Sequence, residues 1–223
     1  MGTTRGNLQT CLGRTTSGSK KMTTLEDFGA ADSRRIGEVV ESNSTSFRAQ
    51  CYRLYDAPPL GSFVRAGDPP IDGVVYRITT EPLDAARPVL ARGEFAATED
   101  DIFRNNPQLE RLLTSRFEVV IVGHQGRGSR VPLLPPLPPR VHAFVHACSS
   151  EEVIQLAGHT GWIGLLLSSG IPVADQVVGA CFREAASVHS DGPEFLLRVC
   201  KDLAVELAGD LPRLNAILRT VRS

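Results

Sequence analysis

A chain of 223 residues with 42% hydrophobic content holds enough apolar material for one or two packed cores, which excludes a disordered chain. Its 24 basic and 25 acidic residues give a formal net charge of -1, so no global field draws it to nucleic acid or to a membrane and only a local patch is left for such a role. No apolar run is long enough to span a bilayer, and the amino terminus has no secretory apolar core.

Residues 1–21 are rich in Ser, Thr and Gly, carry Arg5, Arg14, Lys20 and Lys21, and contain no acidic residue, the composition of a flexible tail that we extend to residue 33. The basic, acid-poor composition superficially matches an organellar transit peptide, but no amphipathic stripe accompanies it, and Met22 stands beside Met1 as a candidate start. Gly6 occupies the place of the Ser or Thr that a myristoylation signal requires, so lipidation is rejected.

From about Arg34 the pattern becomes that of a small closed β-barrel, expected to run to Leu134. Phe47, Ala49 and Cys51 alternate with Arg48, Gln50 and Tyr52, the period of a half-buried strand, and Val74, Tyr76 and Ile78 repeat it. Pro58-Pro59, Gly61 and the run Ala66-Gly67-Asp68-Pro69-Pro70 supply the restricted or positive φ angles of turns. The succession Ile36-Gly37-Glu38-Val39, Phe47 to Cys51, Pro59-Leu60-Gly61-Ser62-Phe63-Val64 and Gly73-Val74-Val75 resembles the HAS-barrel family, the barrel shared by HerA-type DNA translocases and rotary ATP synthase subunits. The resemblance covers a third to half of the chain and rests on glycines and aliphatics at strand and turn positions. It implies a barrel that helps hold subunits together, with catalysis in a separate nucleotide-binding domain of which this sequence gives no sign.

Pro88 to Phe95 reads as a further extended piece, and Thr98-Glu99-Asp100-Asp101 opens a helical insert. Ile102, Phe103, Leu109, Leu112 and Leu113 form its apolar face, broken at Asn106-Pro107. Phe117 to Val122 returns the chain to the sheet. The following Gly123-His124-Gln125-Gly126-Arg127-Gly128-Ser129-Arg130 has the glycine spacing of a phosphate-binding loop, but Ser129 replaces its lysine and Arg130 its hydroxyl residue. It leads into Val131-Pro132 and not into a helix, so a glycine-rich hairpin is expected and nucleotide hydrolysis is not. His124, Arg127 and Arg130 at its tip, with Arg34 and Arg35 ahead of the barrel, are candidates for contact with an anion or a nucleic-acid backbone; the alternative is a set of solvated loop charges.

Residues 135–140 are expected to be a Pro-rich linker, because Pro135, Pro136, Pro138 and Pro139 lack the amide donors of a helix or central strand. They read either as a spacer packed along the barrel or as a ligand for an aromatic-lined groove. A helical domain is expected from 141 to 223. Ser149-Ser150-Glu151-Glu152 has capping-box spacing, and three apolar stripes follow, one starting at Val173, one at Phe195 and one at Leu211, giving a bundle of about four helices. Trp162, among glycines 158, 161 and 164, is either a core anchor or part of an exposed interaction patch.

Five cysteines at scattered positions, with no C-x-x-C pair, read as reduced, mostly buried thiols of a cytoplasmic protein. His142, His146 and Cys148 lack zinc spacing, and no metal or other cofactor is expected; a reactive Cys148 at a helix start is a minor alternative to a plain linking strand. The expected fold is therefore α+β, an amino-terminal barrel followed by a helical bundle. The expected function is noncatalytic: assembly or adaptor work, docking on a protein complex or on copies of itself, with a ring ATPase the partner that the resemblance implies. The alternative is a nucleic-acid-associated module using a basic barrel rim.

Overall fold

In the computed structural model, which describes residues 1–2 and 35–222, the first hairpin joins β1 (Arg35–Ser42) to β2 (Ser46–Cys51). The expected tail beyond its first two residues, together with Arg34 and Cys11, lies outside the described residues. The hairpin turns where Asn43 Oδ1 accepts the backbone N–H groups of Thr45 and Ser46 at 2.9 and 3.0 Å, an Asx-type turn. β3 (Phe63–Ala66) and β4 (Ile71–Pro82) form the second hairpin, and β5 (Leu113–Gln125) returns along β4 before a tight turn into the two-residue β6 (Arg130–Val131). β7 (Phe144–Ala147) completes an antiparallel sheet of seven strands in the order β2-β1-β7-β3-β4-β5-β6. β2 also pairs with β5, from Ser46 opposite Val120 to Gln50 opposite Arg116, so the pairing circuit β1-β2-β5-β4-β3-β7 returns to β1.

β7 lies beyond the Pro-rich segment yet is seated between β1 and β3, so the sheet extends past the boundary expected at 135–140. The reason is that backbone groups of β1 and β3 need partners. Val39 N–H donates to the Ala143 carbonyl at 2.9 Å, and Val145 is paired opposite Ala66.

Alternation decides which core each strand residue joins. Val39, Phe47, Ala49, Val64, Val75, Phe117, Val119, Ile121 and Val145 meet on one face of the sheet. Phe63, Val74, Val120 and Val122, their neighbours in sequence, point the other way and join the helical core. β3, residues 71–75 of β4 and residues 119–123 of β5 are thus buried on both faces, which is why Val119 to Val122 is uninterrupted apolar sequence. Val74 and Tyr76, expected to repeat the pattern of Phe47 and Ala49, belong to the helical side, and Ile78 is exposed; the register shift between Val75 and Arg77 accompanies the change.

Among the described residues the helical layer has five helices: α3 (Ser150–Ala157), α4 (Gly161–Ser168), α5 (Ala174–Val188), α6 (Gly192–Glu206) and α7 (Leu211–Arg222), following α1 (Glu99–Asn105) and α2 (Leu109–Leu112) in the insert. Ser149 and Glu152 form the capping box of α3, and Asp191 caps α6 with Pro193 in its first turn. The stripes beginning at Val173 and Leu211 are exposed at those first residues and buried beyond them, save Leu218, which is half-buried. Gly61, at φ 87°, lies so close to α5 that a Cβ there would meet Ala180, and Cys181 Sγ donates to its carbonyl at 3.1 Å. Among the described residues no helix is long and apolar enough to cross a membrane.

Residues 83–112 form an arm at the Pro82 end of β4, closed at its base by Leu83 N–H donating to the Leu112 carbonyl at 2.8 Å. α1 and α2 bury no residue, and the expected extended piece from Pro88 to Phe95 has no strand partner. Leu113, expected on a helix, begins β5 instead, opposite Pro82.

Candidate functional site

An ionic cluster ties β3, β4, β6 and α3 together. The Asp72 carboxylate, 1% exposed, receives Arg65 Nε at 3.1 Å, and Arg65 also donates to Glu152 at 2.6 Å. Burial pushes the Asp72 carboxyl upward and the adjacent Arg65 opposes that shift. Arg130 is drawn into the same cluster, 3.9 Å from Asp72 and donating to the Glu152 carbonyl at 3.4 Å. It is thereby tied to β4 and α3.

Trp162 is 3% exposed and lies edge-on between Phe63 and Phe182, with ring centroids 5.4 and 5.8 Å away. It is a core anchor, and the exposed interaction patch is corrected on that ground. Burial raises the Cys148 thiol to about 12 and the Cys51 thiol to about 11, which leaves negligible thiolate at neutral pH. Among the described residues no three His, Cys, Asp or Glu side chains converge to hold a metal ion.

The remaining candidates meet at the Ile71 end of β4. There the β3–β4 turn and the β5–β6 turn lie side by side, because Gln125 N–H donates to the Pro70 carbonyl at 2.9 Å. The Pro-rich segment passes both. It is held by His124 Nδ1, 3.0 Å from the Leu133 carbonyl, by burial of Pro139, and by His142 N–H donating to the Val39 carbonyl at 2.8 Å. Between these three elements lies a cleft of about 910 Å³. Pro69, Pro135, Pro136, Leu137, Pro138, Val141 and Phe144 make it apolar. Arg127, Arg140, His124, His142 and His146 add basic groups, against Asp68 as the one carboxylate among its described lining residues; His142 also meets Glu38 at 3.5 Å just outside.

Of the basic candidates, His124 and Arg127 line the cleft; Arg35 is adjacent, its guanidinium 3.8 Å above the Phe144 ring. All four candidate prolines line it, as a wall. Arg140, His142 and His146 were absent from that basic set. Their only sequence signal is position flanking the proline run, and the fold alone brings them beside residues 124–127. No protein-family model matches the chain, and no curated protein matches it in sequence.

Proposed function

We propose that the six-strand circuit is a small closed β-barrel of the HAS type and that the protein is a noncatalytic assembly module. It docks on a larger complex or on copies of itself, and the HAS resemblance makes a ring-forming ATPase the heterologous partner of choice. The observation that carries this reading is the proline-walled cleft. Its wall has fixed φ angles and is anchored to the Val39 carbonyl of β1 and the His124 side chain of β5, so little conformational freedom is lost when a partner is seated. Apolar lining with Arg127 and Arg140 suits an apolar protein segment carrying carboxylates. The suppressed thiols of Cys51 and Cys148 speak against a cysteine-based enzyme.

The test is affinity purification of the tagged protein from its native cells, alongside the double variant Arg127→Glu/Arg140→Glu, with bound protein and nucleic acid both identified. A stoichiometric protein partner that the variant fails to retain is the expected result. Recovery of nucleic acid alone, released by salt and lost in the variant, would replace this reading with the nucleic-acid-associated one.

A further inference from the structure

We infer that the cleft receives the acidic arm of a second copy of this chain, so that copies join head to tail. The inference rests on the docking reading and names its occupant. Phe95 on the arm is 93% exposed, with Val89 and Leu90 at 58% and 67%. Large apolar side chains presented to solvent on one projection are available to a partner surface that can bury them. From Glu94 onward the sequence Glu94-Phe95-Ala96-Ala97-Thr98-Glu99-Asp100-Asp101 carries four carboxylates and no cation, with Arg92 and Arg104 flanking it. Asp101 is engaged by Thr98 and Arg104, whereas Glu94, Glu99 and Asp100 are exposed. This chemistry complements the cleft: an aromatic anchor for its apolar floor and carboxylates for Arg127 and Arg140.

Geometry makes the contact intermolecular. The arm leaves the ribbon at Pro82 and the cleft lies at Ile71, the opposite end of the 12-residue β4, about 40 Å apart at the rise of an extended strand. Because arm and cleft are different surfaces, the contact is heterologous. Repeating it yields a ring if the rotation closes and a filament if it does not.

The experiment is sedimentation velocity on the full chain and two variants, Phe95→Asp, which removes the anchor, and Arg127→Glu/Arg140→Glu, which reverses the cleft charge. All these side chains are exposed, and unchanged thermal melting checks that each variant is folded. Wild type is expected to grow from the 24.1 kDa monomer with concentration, and each variant alone to stay a monomer over the range in which wild type associates, Phe95→Asp being weakened by about 30-fold or more. An equimolar mixture of the two variants retains one intact arm and one intact cleft, so it is expected to stop at a dimer. Wild-type monomer at every concentration, or association that survives Phe95→Asp, would overturn the inference. If wild type is monomeric while Arg127→Glu/Arg140→Glu still loses a different partner in the native-cell purification, the occupant is wrong and the docking reading stands; if no partner is lost there either, both fall.

Discussion

At the residue scale, Glu184 and the Arg65–Asp72 pair, in the joint between sheet and helices, contribute to stability. The Glu184 carboxyl of α5 is raised to about 7 by burial, against hydrogen bonds from Phe63 N–H and the Ser62 hydroxyl, and its Oε2 is buried without a partner. The folded chain therefore keeps a proton that the unfolded chain releases. Stability falls as pH rises from the ordinary glutamate range to about 7, and is level above it as far as this group is concerned. Glu184→Gln is expected to flatten that slope, gaining over wild type in urea unfolding at about pH 8 and little at about pH 5. Arg65→Ala removes the main partner of buried Asp72 and is expected to cost about 3–5 kcal/mol, whereas exposed Arg127→Ala stays within about 0.5 kcal/mol of wild type. Chemical denaturation of the pair checks whether Arg127 is free for docking while Arg65 holds the fold. Neither Arg65 nor Asp72 was distinguishable in sequence from a solvated turn charge, because only β3–β4 pairing and the arrival of α3 desolvate them.

At the element scale, patterns confined to a few consecutive residues were legible. The alternation from Phe47 to Cys51, the run from Phe117 to Val122, the Ser149-Glu152 capping box and the hairpin at 123–130 all stand, since each is specified by its own side chains. β7 was not read as part of the sheet, because four residues after a proline run carry little periodicity and their partners on β1 and β3 are remote in sequence. The insert misled for the opposite reason: Ile102, Phe103, Leu109 and Leu112 suggest a buried face, but α1 and α2 bury none of them. Helix contacts depend equally on absent side chains. Gly179 of α5 faces Thr220 of α7 so closely that an added Cβ collides with the threonine side chain. Gly179→Ala is expected to destabilise by about 1–3 kcal/mol despite its better helix propensity, and a rise in melting temperature would show that the two helices pack less tightly than described.

At the scale of the whole molecule, sheet and helical layer share one core through Phe63, Val74, Val120 and Val122, while the arm and the cleft occupy opposite ends of the β4–β5 ribbon. The candidate site was half legible. His124, Arg127 and the prolines announce themselves by composition, but their convergence with Arg140, His142 and His146 depends on the Pro-rich segment folding back beside two turns. Salt at about 0.5 M should weaken docking without unfolding the chain, since the exposed arginines of the cleft are screened while the apolar cores are not. The central claim is that this cleft seats a protein segment. Leu137 stands in its wall and is 77% exposed, so a photo-reactive residue placed there in the full chain, irradiated in the native cells, reports directly on what occupies it. The account predicts a protein adduct mapping to residues 94–101 of a second copy. An adduct to nucleic acid alone, or none while the labelled chain is folded and abundant, would contradict it.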